Sequence, residues 1–455
     1  MTATALSATA ANDGLFSILY SNAGGASGNE GLTASLGNAQ FSTQNWHDDG
    51  LRLDLPVVAG QSIAIQLPEG SLDSGQLTIV NLVLQEESGL IVGGTGGQDN
   101  YAIDLRNGLQ LSVGRVEYVF ASNEISSVQL DAGGSGDSIS VQGTDKIESV
   151  ELRPGNTAIE NQQIQLSLQG VEEVSFSGGG NTDRIYMYDA NTDDTLRAYP
   201  GRAELIGVGY HFEVDDVSRV FVHATGGGED LAYVYDSAGN DHVSARPQFT
   251  SINGDGFFNY VRGFERVYAY SSAGGQDSAA LYDSPGSDRF SAAGESVLIS
   301  GPGFSSHVRG FEQVEALAQA GGEDRATLYG TNQAHGWYQG ADYLAFQEGN
   351  TSRQARGFET VETYQNMQPI QVSAQSLEIP DEPMSPQVEQ DSSLDAPAAD
   401  SPQTFLPELG IYAQSLSMSE WLEDRLYLPE EELMEDEGVE QLALHEAFRQ
   451  YGESR

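Results

Sequence analysis

Nine aspartates stand in three sets of three. In each set one Asp closes a glycine-rich turn, a second ends the strand-like segment after it, and a third follows shortly on. The sets are Asp183, Asp189 and Asp194; Asp230, Asp236 and Asp241; and Asp277, Asp283 and Asp288. A hard cation such as Ca²⁺ takes about six to eight oxygens, and acidic turns offer carboxylates and backbone carbonyls together. All nine are therefore expected metal ligands, with Ca²⁺ as the expected cofactor. The plainer reading is that Asp, Asn and Gly make turns and keep a surface soluble. Both readings stay open on the sequence. The segment Asp189-Ala-Asn191-Thr-Asp193-Asp194 opens like an EF-hand loop, but Asp194 takes the place of the required Gly and Pro200 that of the bidentate Glu. An EF-hand is excluded.

The sets recur because the chain repeats. Asp183, Asp230, Asp277 and Asp324 are 47 residues apart, as are Tyr188, Tyr235, Tyr282 and Tyr329, and Phe264, Phe311 and Phe358. A fixed period in strict register signals stacked copies of one supersecondary unit. In the fourth unit Gly330 and His335 replace two of the three aspartates, which suits a terminal unit and a plain turn equally. Glu265-Arg-Val-Tyr-Ala269 resembles Asp288-Arg-Phe-Ser-Ala292, so each unit reads as two rungs of about 22–24 residues. Such a rung fits one coil of a three-stranded parallel β-helix, with equivalent residues of successive units about 9.6 Å apart.

Alternation separates inside from outside. Ile185 and Met187, Ala232 and Val234, Ala279 and Leu281, and Ala326 and Leu328 are expected to fill the bore. Tyr188, Tyr235, Tyr282 and Tyr329 then fall outward, in one ladder that forms a ligand face. Tyrosines there can stack on sugar rings, or on one another to stabilise the coils. The recurring Arg-Gly-Phe-Glu, with Arg262/Glu265, Arg309/Glu312 and Arg356/Glu359, reads as a row of ion pairs aligning coils, with the phenylalanines packed at a corner.

The balance of 67 acidic against 20 basic residues gives a formal net charge of -47. A chain so acidic repels nucleic acid and anionic membranes and favours cations. Cysteine is absent, which excludes disulfides and thiolate metal sites. The N-terminal Met-Thr-Ala-Thr-Ala-Leu-Ser has no basic region followed by an apolar core, so no signal peptide is expected, and no apolar run reaches membrane-spanning length.

Gly-Gly-Gln-Asp277 followed by Asp283-Ser-Pro-Gly-Ser-Asp288-Arg-Phe290 resembles the glycine-aspartate turns of repeats-in-toxin calcium β-rolls, although those repeats recur every nine residues and these do not. The long units, with Leu-Tyr-Asp-Ser and Arg-Gly-Phe-Glu signatures, more closely resemble repeats in large exported proteins of planctomycete-like aquatic bacteria, over about 170–367. That resemblance implies an exported β-helical protein and carries no assigned chemistry.

The expected fold is all-β: a right-handed parallel β-helix, or solenoid, with an acidic disordered linker and short C-terminal helices. A β-rich N-terminal region spans 1–90 and leads into repeats over 91–366. A Pro/Ser-rich acidic linker follows over 367–410, and a short acidic helical segment over 411–455, where Ser419 caps a helix carrying Trp421 and Leu422. The expected role is non-catalytic: an exported or cell-surface scaffold, adhesin or glycan-binding rod, Ca²⁺-stabilised, with polysaccharide or other surface proteins as partners and with neither nucleic acid nor a membrane span. The rival is a β-helical polysaccharide lyase or hydrolase. Its catalytic candidates are Arg202, Tyr210 and His211, which lie close in sequence and break the repeat.

Overall fold

The computed structural model describes residues 5–22, 31–43, 46–47, 50–67, 75–84, 88–134, 136–179, 183–330 and 334–372. The expected helical segment over 411–455 and nearly all of the expected linker lie outside the described residues. Within them the chain is all-β, with no helix, and forms a β-solenoid of about seven turns. It divides into two compact units, Met1–Tyr188 with Gly201–Val220, and Asp189–Pro200 with Phe221–Arg455.

In the first unit, the strands Gly14–Asn22, Gly50–Val57 and Gly75–Leu84 pair antiparallel. They share a core of Phe16, Ile18, Leu51, Leu55, Ile63 and Ile65 with a four-stranded sheet. Gly75–Leu84 then pairs with Gly89–Gly93, and parallel stacking begins as Gly89–Gly93 meets Ser127–Asp131.

The second unit shows how the repeat is used. From Leu231–Tyr235, in one sheet, the chain crosses to the other sheet at His242–Arg246. There it makes an antiparallel meander with Phe249–Gly254 and Phe257–Arg262. It crosses back to Arg266–Tyr270, parallel to Leu231–Tyr235, and over again to Ser278–Tyr282, parallel to His242–Arg246. The next crossing opens a second meander, Arg289–Ala293, Ser296–Gly301 and Phe304–Arg309, now in the first sheet. Its last strand lies parallel to Arg266–Tyr270.

Each 47-residue copy therefore makes three crossings, and every third crossing carries a three-stranded meander. Two expectations are corrected by this. The rung is not a three-stranded coil, because two sheets face each other and antiparallel hairpins are inserted between parallel neighbours. The step from Arg266 to Arg289 is one circuit, but the meander intervenes, so Arg266 pairs with Ser305 instead. Nor do successive copies stack on each other. Three is odd, so the strand after Asp230 lies in one sheet, that after Asp277 in the other, and that after Asp324 in the first again.

Alternation places the bore as expected. Val234, Leu281, Ala316 and Leu328 in the second unit, and Ile185 and Met187 in the first, are at most 1% exposed. Burying such side chains contributes roughly 1.5–3 kcal/mol each for the larger ones. Phe264 and Phe311 are buried at the corner. The preceding glycine is required there: Gly263 has φ +85°, and a Cβ on it would stand 1.7 Å from the Ala224 carbonyl oxygen of the neighbouring turn. Gly310 and Gly357 repeat this against Ser271 and Ala318.

Candidate functional site

Most crossings are opened by an acidic residue, and these acids are wired together. The backbone N–H of one donates to the carboxylate of the acid 35 to 38 residues later, one turn on. In the second unit the rows are Asp194 to Asp230 (2.9 Å) to Glu265 (2.6 Å), Asp241 to Asp277 (2.7 Å) to Glu312 (2.7 Å), and Asp288 to Asp324 (2.8 Å) to Glu359 (2.8 Å). The first unit holds Asp99 to Asp137 (2.7 Å) to Glu172 (2.8 Å), and Glu148 to Asp183 (2.9 Å). A charge-assisted bond to the N–H just before a strand satisfies a donor that the parallel ladder leaves over.

The remaining expected ligands also accept backbone N–H groups. Asp189 takes those of Thr225 and Gly226, Asp236 those of Ser272 and Ala273, and Asp283 that of Ala320. Asp194, Asp241 and Asp288 close their own turns on Ala190, Ser237 and Ser284. Every one of the nine aspartates thus holds backbone together, which is what the plainer reading requires. The glutamate of Arg-Gly-Phe-Glu belongs to the same wiring: Glu265, Glu312 and Glu359 accept from Asp230, Asp277 and Asp324. Arg356 pairs with Glu315 and Asp342 (3.1 and 3.0 Å), so the expected Arg356–Glu359 pair is not made.

Among the described residues, one group places three carboxylates within metal-sharing distance. Asp189, Asp194 and Asp230 each bring a ligand atom within 4.8 Å of the others. The equivalent group one copy on, Asp236, Asp241 and Asp277, differs by two hydroxyls. Ser237 donates to Asp241 at 2.9 Å and Ser271 to Asp277 at 2.5 Å, whereas the group of Asp189, Asp194 and Asp230 has Ala190 and Ala224 at those positions. The carboxylates there meet each other instead. Burial, then the charges of Glu265, Asp189 and Asp194, push Asp230 up to about 9. Burial pushes Glu265 up to about 7 and also raises Asp189. A cation among these groups would relieve that repulsion. Asp183 stands apart, facing Glu148 in the first unit.

The expected ligand face is not one ladder. Tyr235 and Tyr329 lie on strands of one sheet of the second unit and Tyr282 on the other, while Tyr188 belongs to the first unit. Tyr235 stacks between Tyr199 (ring centroids 4.3 Å apart) and Tyr270 (5.5 Å), and Tyr329 stacks on Tyr364 (5.1 Å). Tyr282 lies under Arg246 and Tyr188 under Arg153, with the guanidinium carbon 3.6 and 3.4 Å from the ring centroid. Ring faces that a sugar would need are turned to neighbouring side chains.

The catalytic candidates do not converge. Arg202 and His211 lie on the outer face, bound to Glu213 (2.6 Å) and Glu204 (2.9 Å) respectively. Tyr210 alternates to the inside, is buried, and packs on Phe212. A shallow trough on the outer face of the first unit, about 240 Å³, is lined by small and polar residues including Ala102, Ser112, Ser140, Gln142 and Ser175.

Sequence reasoning missed the acid rows because their spacing of 35 to 38 residues is not the repeat. The signal was present: each Arg-Gly-Phe-Glu glutamate lies 35 residues after a turn aspartate. The geometry defines the chain as a β-solenoid with acid-wired turns. No protein-family model matches it, and no curated protein shows detectable similarity to it.

Proposed function

We propose that this chain is a non-catalytic scaffold, exported or carried on a cell surface, with one Ca²⁺ bound at Asp189, Asp194 and Asp230. The observation that carries the reading is the uniform use of its acids: the residues that repeat are occupied with joining turn to turn. A catalytic role draws no support from Arg202, Tyr210 and His211, which are divided between the bore and the outer face. The placement outside the cell follows the likeness to exported repeats, and partners are other surface polymers or proteins. Glycan binding through stacked sugars is disfavoured, because the tyrosine faces are covered.

The test is a Ca²⁺ titration followed by melting and by a glycan array. Saturation at 100 times Kd would stabilise by about 2.7 kcal/mol, so chelation should lower Tm and Ca²⁺ should restore it. The restoration should be lost in Asp230→Asn. Unchanged Tm under both conditions would remove the Ca²⁺ site, and turnover of any polysaccharide on the array would remove the scaffold reading.

A further inference from the structure

The strands Thr195–Tyr199, His242–Arg246 and Arg289–Ala293 of the second unit are each flanked by a parallel strand whose residues come 36 later. Ala334–Gln339 is next in that series. Among the described residues it pairs on one side only, antiparallel with Tyr343–Glu348. It contains no Lys, Arg, Asp, Glu or Pro, the residues that commonly guard a free edge. At the same offset Trp337 and Gln339 would face Ser373 and Gln375. One copy earlier those places hold bore pairs, Phe290 with Ala326 and Ala292 with Leu328. Two polar side chains are costly to bury in a bore, and the chain turns away before reaching it. Asn366 and Met367, at φ +50° and +60°, reverse the chain, and the Ile370 N–H donates to the Thr363 carbonyl at 2.9 Å. Side chains of this turn stay open to solvent. Trp337, Phe358 and Val361 are partly exposed, whereas their equivalents one copy earlier, Phe290, Phe311 and Val314, are buried. The Trp337 indole N–H is buried without an acceptor.

We infer that the edge of Ala334–Gln339 binds the chain's own segment Leu409-Gly-Ile411-Tyr412, which lies outside the described residues, as the parallel strand that closes the last turn. The three flanking strands share one pattern: apolar, any residue, aliphatic, Tyr. They read Ala232-Tyr-Val234-Tyr235, Ala279-Ala-Leu281-Tyr282 and Ala326-Thr-Leu328-Tyr329. Of the tyrosines after residue 372, Tyr412 alone completes that pattern. Tyr427 follows Asp424-Arg-Leu426, and Tyr451 follows Phe448-Arg-Gln450. In the register of the earlier pairs, Leu409 meets Trp337, Gly410 meets Tyr338 and Ile411 meets Gln339. The stretch from 373 to 408 reaches far beyond one strand length, so the segment can enter from either end of the edge. Within an acidic tail, residues 409–418 carry no charge, and neither does the edge they would join. A segment on the same chain is present at an effective concentration of about millimolar. A second copy would instead bring its own charge of -47 against this one.

The test is hydrogen exchange of the 336–339 amides in the full chain. Leu409→Asp/Ile411→Asp is the breaking variant and Ile411→Val the conservative one. Wild type and Ile411→Val should exchange there at least about 10-fold more slowly than the double variant, with the amides of Leu281 and Val314 unchanged in all three. Equal rates in wild type and the double variant would overturn the inference. So would a loss produced by Leu377→Asp/Ile379→Asp alone, which would give the edge to a nearer segment. Protection that rises with protein concentration from about 1 to 100 μM would give it to a second copy and overturn the inference too. Because the chain has no cysteine, a pair can be placed without competition. Tyr338→Cys with Gly410→Cys should close a disulfide within one chain, since paired strands bring Cα atoms to about 4.8 Å. Tyr338→Cys with Gly438→Cys should stay largely reduced, and equal yields from the two pairs would refute the register. None of these readings involves Asp189, Asp194 or Asp230, so this inference and the Ca²⁺ site can fail separately.

Discussion

Asp277 sits in the middle of a row, is buried, and receives two hydrogens: the Asp241 N–H at 2.7 Å on Oδ1 and the Ser271 hydroxyl at 2.5 Å on Oδ2. Asp277→Ala leaves both donors facing a void. An orphaned buried donor costs about 1–3 kcal/mol. Against this stands the relief of repulsion, since burial and the charges of Glu312 and Asp236 raise the Asp277 pKa. The net expectation is a loss of roughly 2–4 kcal/mol. Asp277→Asn keeps an acceptor for the Asp241 N–H and sheds the charge, so it should cost no more than about 1 kcal/mol. The assay is urea unfolding at pH 7, read by circular dichroism and tyrosine fluorescence, with coincident curves required before free energies are compared. Equal losses in the two variants would refute the wiring and leave the carboxylate's charge as the quantity that matters. An alanine variant within 0.5 kcal/mol of wild type would refute any role for the row.

Leu281 faces the bore between Ala245 and Ala316, which are too short to fill the space it would vacate, so Leu281→Ala should cost about 3 kcal/mol by the same unfolding assay. Stability should fall as pH rises from 4 to 9. Asp230, Glu265 and Asp288 are raised to about 9, 7 and 6, so in that window the folded chain binds more protons than the unfolded one. The stabilisation is complete below the unfolded carboxylate range near pH 4 and is lost as each folded value is passed. Glu265 alone corresponds to about 3 kcal/mol, and coupled neighbours add less than their sum. A melting temperature that climbs between pH 5 and 8 without added Ca²⁺ would contradict this.

The bore was legible because it obeys a local rule. Ala232, Val234, Ala279 and Leu281 alternate with outward residues whichever sheet the strand joins, so their burial could be read without knowing the pairing. Pairing itself is a long-range property. The meander Phe249–Gly254 and Phe257–Arg262 looks in sequence like two more strands of the same kind, and only its turns, at Gly256 for example, mark a reversal. Taking those strands as parallel rungs produced the three-stranded coil and, from it, the single tyrosine ladder. The acid rows were half legible: the aspartates stood out, but their partners are backbone N–H groups, which sequence does not display. Arg353 was not legible at all. It is wholly buried at a bore position opposite Val314, where its guanidinium bonds the carbonyls of Gly294 (3.1 Å) and Glu312 (3.0 Å). Burial lowers its pKa to about 10. Alternation would have assigned that position a hydrocarbon.

Three crossings per copy also limit what the repeat can present. In the second unit, a side chain that recurs every 47 residues appears on one sheet, then the other, then the first. A flat partner reading one sheet meets only every second copy, with different residues between. Tyr235 is followed along its own sheet by Tyr270, which occupies a different place in the repeat, and Tyr282 lies on the opposite sheet under an arginine. What recurs at every copy irrespective of face is the turn, because each crossing must pass through one. The strict periodicity of Asp and Gly is therefore selected by closure of the chain on itself. A partner that reads a face of this chain would have to use residues that depart from the period, such as those lining the Ala102–Ser112–Ser140–Ser175 trough of the first unit.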